Sequence, residues 1–178
     1  MYYVPYTYPY AYPSYRYAPV APYVNAHPHY NNFVDRSLAN TRIADQGPNP
    51  FVINIEQATE NNTLFRTTLW TGDHMKLTLM RIPIGEDIGL EMHEDTDQFL
   101  RIEDGDGIVE MGSTKNNLTF RRPLSEDIIT IIPAGTWHNI TNTGDEPLKL
   151  YSIYAPPEHP HGTVHSTKAD ALAAENHS

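Results

Sequence analysis

The sequence predicts an all-β domain, a sandwich or barrel of short strands flanked by two tails of different character. Three observations carry that expectation. Between Phe51 and Tyr154 the chain alternates short runs rich in Val, Ile, Leu, Thr and Phe with clusters of Gly, Asn and Asp. Those clusters (Glu60-Asn61-Asn62, Thr71-Gly72-Asp73, Asp104 to Gly107, Lys115-Asn116-Asn117 and Asn142 to Glu146) recur at the spacing of turns between strands. The length, 178 residues, suits one domain plus tails.

The elements follow in order. Residues 1–30 hold ten of the twelve Tyr and six of the fifteen Pro, with Arg16 as their only charge. Pro at short intervals removes backbone donors and favours polyproline II or irregular chain, so this segment reads as a disordered Tyr/Pro-rich tail. It lacks the basic start and apolar run of a secretory signal. Its Tyr rings suit it to contact with other surfaces, and its composition resembles segments of bacterial spore-coat proteins. Residues 31–49 read as a short helix and linker. Asn32 is a candidate cap, and Phe33, Val34, Ser37 and Leu38 form one face. Gly47-Pro48-Asn49-Pro50 stops the helix and marks the domain boundary.

Strands are expected at Val52–Ile55, Leu64–Trp70, Met75–Ile82, Gly89–His93, Gln98–Glu103, Ile108–Met111, Leu118–Arg121, Ile128–Ile132, His138–Thr141 and Leu148–Tyr154, which places the barrel at 50–156. Residues 157–178 form a short polar tail. It carries His159, His161 and His165, a loop expected to pack over the barrel or stay solvated, and a final helical turn or two capped by Thr167 with Asp170 three residues on.

Composition excludes several functions. Net charge is -10, from 22 acidic and 12 basic residues, and no basic cluster offers itself to a phosphate backbone, so no nucleic-acid partner is expected. There is no Cys, hence no disulfide, thiolate ligand or Cys nucleophile. No run approaches the ~18 apolar residues of a membrane span.

Two segments carry the chemistry. The first has Gly85, five residues, Glu91-Met92-His93, four residues, Gln98, six residues and Gly105. The second has Asp127, Pro133, Gly135, His138 and Asn142. This spacing resembles the two signature motifs of the cupin superfamily, and with Thr68 to Met80 and Pro156 to His165 it is similar to small bacterial single-domain cupins, often labelled mannose-6-phosphate isomerase-related. The resemblance covers about residues 50–156. It implies a jelly-roll β-barrel with a metal seat, and it places Glu91, His93, Gln98 and His138 in the four ligand slots. The chain departs from the pattern in three letters. Glu91 stands where the first His is expected, Gln98 where the Glu is expected, and Asp127 where the second motif opens with Gly. The isomerases themselves carry Gln in the first slot and Glu in the third, the reverse of this chain.

Strand alternation puts Glu91 and His93 on one face with Gly89, Gln98 with Leu100 and Ile102, and His138 with Ile140 and Asn142. Arg101 falls on the outer face. Two imidazoles, one carboxylate and one amide keep the -1 ligand charge of the usual set, because the carboxylate has moved slots. Two His and a carboxylate also make the minimal facial set of non-haem iron oxygenases. The expected cofactor is one divalent transition metal: Mn, Fe, Ni, Co or Zn. Glu94, Asp95 and Asp97 read as a solvated acidic loop, with Asp97 as the candidate catalytic base because it adjoins the ligand strand. Trp137 is expected to pack at the core or rim.

The function expected is metal-dependent action on a small organic molecule, of oxygenase or isomerase type. The alternative is a non-catalytic binding or structural cupin, associated with the spore coat through its Tyr-rich tail. The expected partners are a small-molecule ligand and a second copy of the chain, in the cytoplasm or the spore coat.

Overall fold

A computed structural model describes residues 44–175. The Tyr/Pro-rich segment and the helix expected from Asn31 lie outside the described residues. The order of elements is α1 (Ile55–Asn61), β1 (Arg66–Thr71), β2 (Lys76–Ile82), β3 (Asp97–Asp104), β4 (Gly107–Gly112), β5 (Phe120–Leu124), β6 (Ile129–Ile132), β7 (Trp137–Asn142), β8 (Leu148–Ala155), β9 (Val164–His165) and α2 (Lys168–Glu175).

The strands form two antiparallel sheets. One has six strands in the order β6-β3-β8-β2-β1-β9, the other three in the order β5-β4-β7. Both contribute to a single interior. Met80, Ile82, Leu100, Leu148 and Leu150 come from the larger sheet, and Val109, Met111, Leu124 and Ile140 from the smaller. Each such side chain, taken fully out of water, contributes about 1.5–3 kcal/mol before entropy is counted. Alternation is clean where one face is covered. In β7 Trp137, Asn139 and Thr141 are half-buried, while His138, Ile140 and Asn142 are buried. Pro123, which cannot donate to a ladder, sits on the edge strand β5.

Two expected strands differ. Val52–Ile55 is not a strand, because Asn54 starts a helix there by accepting the Gln57 N–H at 3.0 Å. The buried Ala58 and Thr59 of α1 face the outside of the larger sheet, where Ala58 packs with Leu69 and Leu79. Gly89–His93 is not a regular strand either. The segment runs antiparallel to β7 but bonds it only at intervals: Ile88 N–H to Ile140 O (3.0 Å), then a two-way Glu91–His138 pair (3.0 and 2.9 Å). Three residues therefore oppose two, a bulge. Gly89, with φ +96°, supplies the conformation, and the Asp87 carboxylate accepts its N–H at 2.6 Å. The bulge shifts the parity. Ile88 enters the apolar core while Glu91 and His93, at odd offsets from it, still point inward. Gly89 thus re-aims the chain where plain strand alternation was expected.

Asp127, in the position of the missing Gly, has φ +67°. Asp tolerates the left-handed region better than most residues, and its carboxylate pairs with Arg101 on the outer face. At the other end of the chain Thr167 and Asp170 cap α2 reciprocally, at 2.9 and 3.2 Å, as expected.

Candidate metal centre

The interior is apolar at one end and polar at the other. The register puts Arg66, Thr68, Lys76, Thr78, Gln98, Ser152 and Tyr154 on the inner face of the larger sheet, all at most 1% exposed. Facing them, the smaller sheet and its bulged neighbour bring Glu91, His93 and His138 together. Glu91 Oε1 lies 3.4 Å from His138 Nε2 and 3.6 Å from His93 Nε2. All three ligand atoms fall within 4.8 Å of one another, the one such group among the described residues.

None of these three buried atoms makes a hydrogen bond. Buried polar atoms without partners cost free energy and require an explanation. A cation held by all three would supply it. Donors about 2.1 Å from an ion at tetrahedral angles lie about 3.4 Å apart, close to the separations seen. The far sides of the three residues have polar neighbours. His138 Nδ1 contacts Thr136 O at 2.9 Å, which selects the tautomer whose Nε2 carries a lone pair. His93 Nδ1 faces the Glu158 carboxylate at 3.8 Å, and Glu91 Oε2 accepts from Arg66 Nη2 at 3.5 Å.

The electrostatics agree. Burial pushes the Glu91 carboxyl up, but the imidazoles of His138 and His93 and the Arg66 guanidinium outweigh it and hold the group well below the ordinary carboxylate range. Burial pushes His93 down, and the Glu91 and Glu158 carboxylates more than reverse this, raising it. Burial lifts the Tyr154 phenol to about 12.

The remaining expected residues separate. Gln98 is buried in the interior, where its Nε2 donates to Ser152 Oγ at 3.0 Å and its Oε1 has no hydrogen-bond partner. Asp97 does not join the cluster. It is exposed, and its carboxylate accepts the Ala134 N–H at 2.9 Å, holding the Pro133–Gly135 turn. First in a strand whose next residue faces inward, it must face outward. Gly135, with φ +74°, turns the chain and donates to His93 O at 2.7 Å. Arg101 lies outside, paired with Asp127 and Glu103, as alternation requires. Trp137 is half-buried at the rim with Lys115 Nζ 5.6 Å above its ring.

Sequence reasoning left Arg66, Lys76, Tyr154, Glu158 and His159 unassigned. The strand parity of Arg66 with Thr68, and of Lys76 with Thr78 and Met80, marks the first two as inward. Of the two alternatives expected for the His-bearing loop, residues 156–163 take the first and pack over the mouth, on contacts that no local pattern specifies. There Lys76 Nζ donates to His159 O (2.8 Å) and Pro160 O (2.7 Å), and Arg66 Nη1 donates to His159 Nε2 at 3.0 Å.

The family model described as a cupin domain matches residues 78–154. The uncharacterised protein YrkC of Bacillus subtilis is 60% identical over 146 residues, 82% of this chain and 77% of YrkC. The chain is a cupin. It is also similar to the uncharacterised protein L612 of Acanthamoeba polyphaga mimivirus, 40% identical over 64% of this chain and 70% of that one. Among solved structures, BH2720 of Bacillus halodurans is 61% identical and superposes with a TM-score of 0.73 over 74% of this cupin and 99% of that chain. TT1209 of Thermus thermophilus, at 19% identity and a TM-score of 0.51 over 59% and 96% of the two chains, shares the fold. No described helix of this cupin is long and apolar enough to cross a membrane.

Proposed function

We propose that this cupin is a mononuclear metal enzyme that acts on a small organic molecule, with Glu91, His93 and His138 as the ligands and chemistry of the oxygenase type. The observation that carries the reading is the convergence of three buried, otherwise unbonded ligand atoms from two His and one carboxylate. Bound there, a divalent ion offers positions beyond the protein's three ligands for substrate and O2. The isomerase version needs a positioned base as well, and Asp97, the base expected from the sequence, is exposed and occupied by Ala134 N–H. The oxygenase version needs no such base.

The chain's own residues have definite parts in this reading. Arg66 keeps Glu91 Oε2 occupied, so Oε1 alone is presented. Thr136 O orients the His138 imidazole, and the Glu158 carboxylate lies 3.8 Å behind that of His93. Gln98, anchored by Ser152, turns an uncommitted Oε1 into the interior, where it serves as a weak extra ligand or a partner for water. The polar plate of Thr68, Thr78 and Tyr154 opposite the ligands suits a substrate bearing oxygen functions.

The test is elemental analysis of protein purified without added metal, followed by oxygen-consumption screening of small organic substrates with aerobic and anaerobic arms. Near-stoichiometric Fe, Mn, Ni, Co or Zn that His138→Ala loses supports the metal site. Turnover that proceeds equally well without O2 overturns the oxygenase version.

A further inference from the structure

The segment over the mouth of the barrel is held by cations, and the way it is held points to the ligand. His159 caps Arg66 by accepting from Nη1 at 3.0 Å, and Lys76 grips the backbone on either side of the following bond, at His159 O and Pro160 O. His159 does so at φ +64°, a left-handed conformation that costs a non-glycine residue free energy. It is half-buried, with exposed Pro160 and His161 beyond it and Gly162 at φ +70° as a ready pivot. Its ring lies 6.3 Å from that of His93 and 6.0 Å from that of Tyr154, so the place it fills adjoins the metal ligands.

The chemistry of that contact points the same way. Among the described residues, the buried Arg66 and Lys76 lie near the carboxylates of Glu91, Glu158 and Asp45. The guanidinium, meanwhile, spends one of its forks on an imidazole nitrogen, a neutral acceptor because Arg66 can only donate to it. A carboxylate is the better acceptor for that fork, because the bond becomes charge-assisted and can be bidentate.

We propose that His159 is an exchangeable guard on Arg66, and that the ligand which displaces it beside the metal is a small organic monocarboxylate. This rests on the metal-site reading above. Closed, the strap satisfies Arg66 with His159. Open, the substrate carboxylate takes that bond. Lys76 re-engages the strap carbonyls after entry. Specificity for an anion then comes from Arg66, on β1, and not from the metal ligands.

The experiment uses the full chain loaded with Co(II), with cobalt content measured on every sample. Acetate is titrated by calorimetry and by the visible cobalt spectrum, with acetamide as the uncharged control of the same shape. Wild type should bind acetate and ignore acetamide. His159→Ala, which removes the competitor, should bind acetate roughly tenfold tighter, the worth of about one hydrogen bond. Arg66→Gln should weaken acetate binding, and added to His159→Ala it should abolish the gain. Acetate that binds no tighter to His159→Ala, acetamide that binds as well as acetate, or Arg66→Gln with unchanged acetate affinity would each overturn the proposal. Cobalt-loaded protein indifferent to acetate refutes this inference alone, whereas a chain that takes no cobalt refutes the metal reading and the inference with it.

Discussion

Replacing Glu91 by Ala separates the two jobs its carboxylate holds. Oε1 faces the imidazoles of His93 and His138, and Oε2 faces Arg66, whose side chain is 1% exposed. In metal-free protein, the substitution takes the carboxylate from a buried guanidinium. Breaking a buried pair costs about 3–5 kcal/mol, and the 3.5 Å separation argues for the lower end of that range. For a domain of this size, about 3 kcal/mol lowers Tm by about 9–15 °C. Metal contributes separately. A ligand at a hundredfold excess over its Kd stabilises the folded state by about 2.7 kcal/mol, or about 8–13 °C here. Thermal denaturation after dialysis against chelator, with and without added Zn or Mn, measures both effects. Wild type should show the metal-dependent rise. Glu91→Ala should melt lower than metal-free wild type and show no rise. His138→Ala should lose the rise too, but its metal-free Tm should fall less, since it takes no carboxylate from Arg66. The reasoning fails if Glu91→Ala keeps the metal-dependent rise, or if metal-free Glu91→Ala melts with wild type.

Four further outcomes are expected. Gln98→Ala should weaken metal binding far less than Glu91→Ala, and Gln98→Glu should tighten it; equal losses for the two Ala variants in a competition titration would contradict the ranking. Gly89→Ala should cost roughly 1–2 kcal/mol of stability through its φ of +96° and also lower metal affinity, because the bulge aims Glu91; chemical denaturation and metal titration read the two effects. Metal affinity should fall as the pH is lowered. His93 is raised in the metal-free state, so the ion must displace a proton below that raised value, and affinity should climb with pH and level off above it, as chelator-buffered titrations between about pH 5.5 and 8 would show. Asp45→Ala should cost about 2–3 kcal/mol, since its carboxylate accepts from Gly47 N–H (3.0 Å), Gly162 N–H (2.9 Å) and Thr71 O–H (2.6 Å). Burial raises that carboxyl, but these bonds outweigh it and lower it, so its contribution is present above the ordinary aspartate range and fades as the pH falls toward the depressed value; urea melts of wild type and variant should converge in acid.

Alternation and turn composition made most of the barrel legible. The inward parity of Gln98, Leu100 and Ile102 in β3, and of His138, Ile140 and Asn142 in β7, follows from a period of two and survives in the fold. Motif spacing, through its resemblance to the cupin pattern, singled out Glu91, His93 and His138, and the fold brings their side chains together. Local pattern failed where a side chain overrides it. Asn54 turns an apolar run into α1 by capping, and Asp87 with Gly89 replaces a strand by a bulge. Asp97 looked catalytic because it adjoins Gln98 in sequence, yet adjacency in a strand means opposite faces.

By itself, then, the chain determined a barrel of short antiparallel strands and the ligand types that meet inside it, because periodicity and spacing are local properties. Only the tertiary structure decided what surrounds them. Arg66 meets Glu91 across 25 residues, Lys76 meets the strap across 83, and Arg66 meets His159 across 93. A salt bridge or hydrogen bond over that distance leaves no periodic trace. It exists because sheet register brings β1, β2 and the segment after β8 to the same end of the barrel, where low polarity makes each buried charge depend on whichever partner the fold delivers.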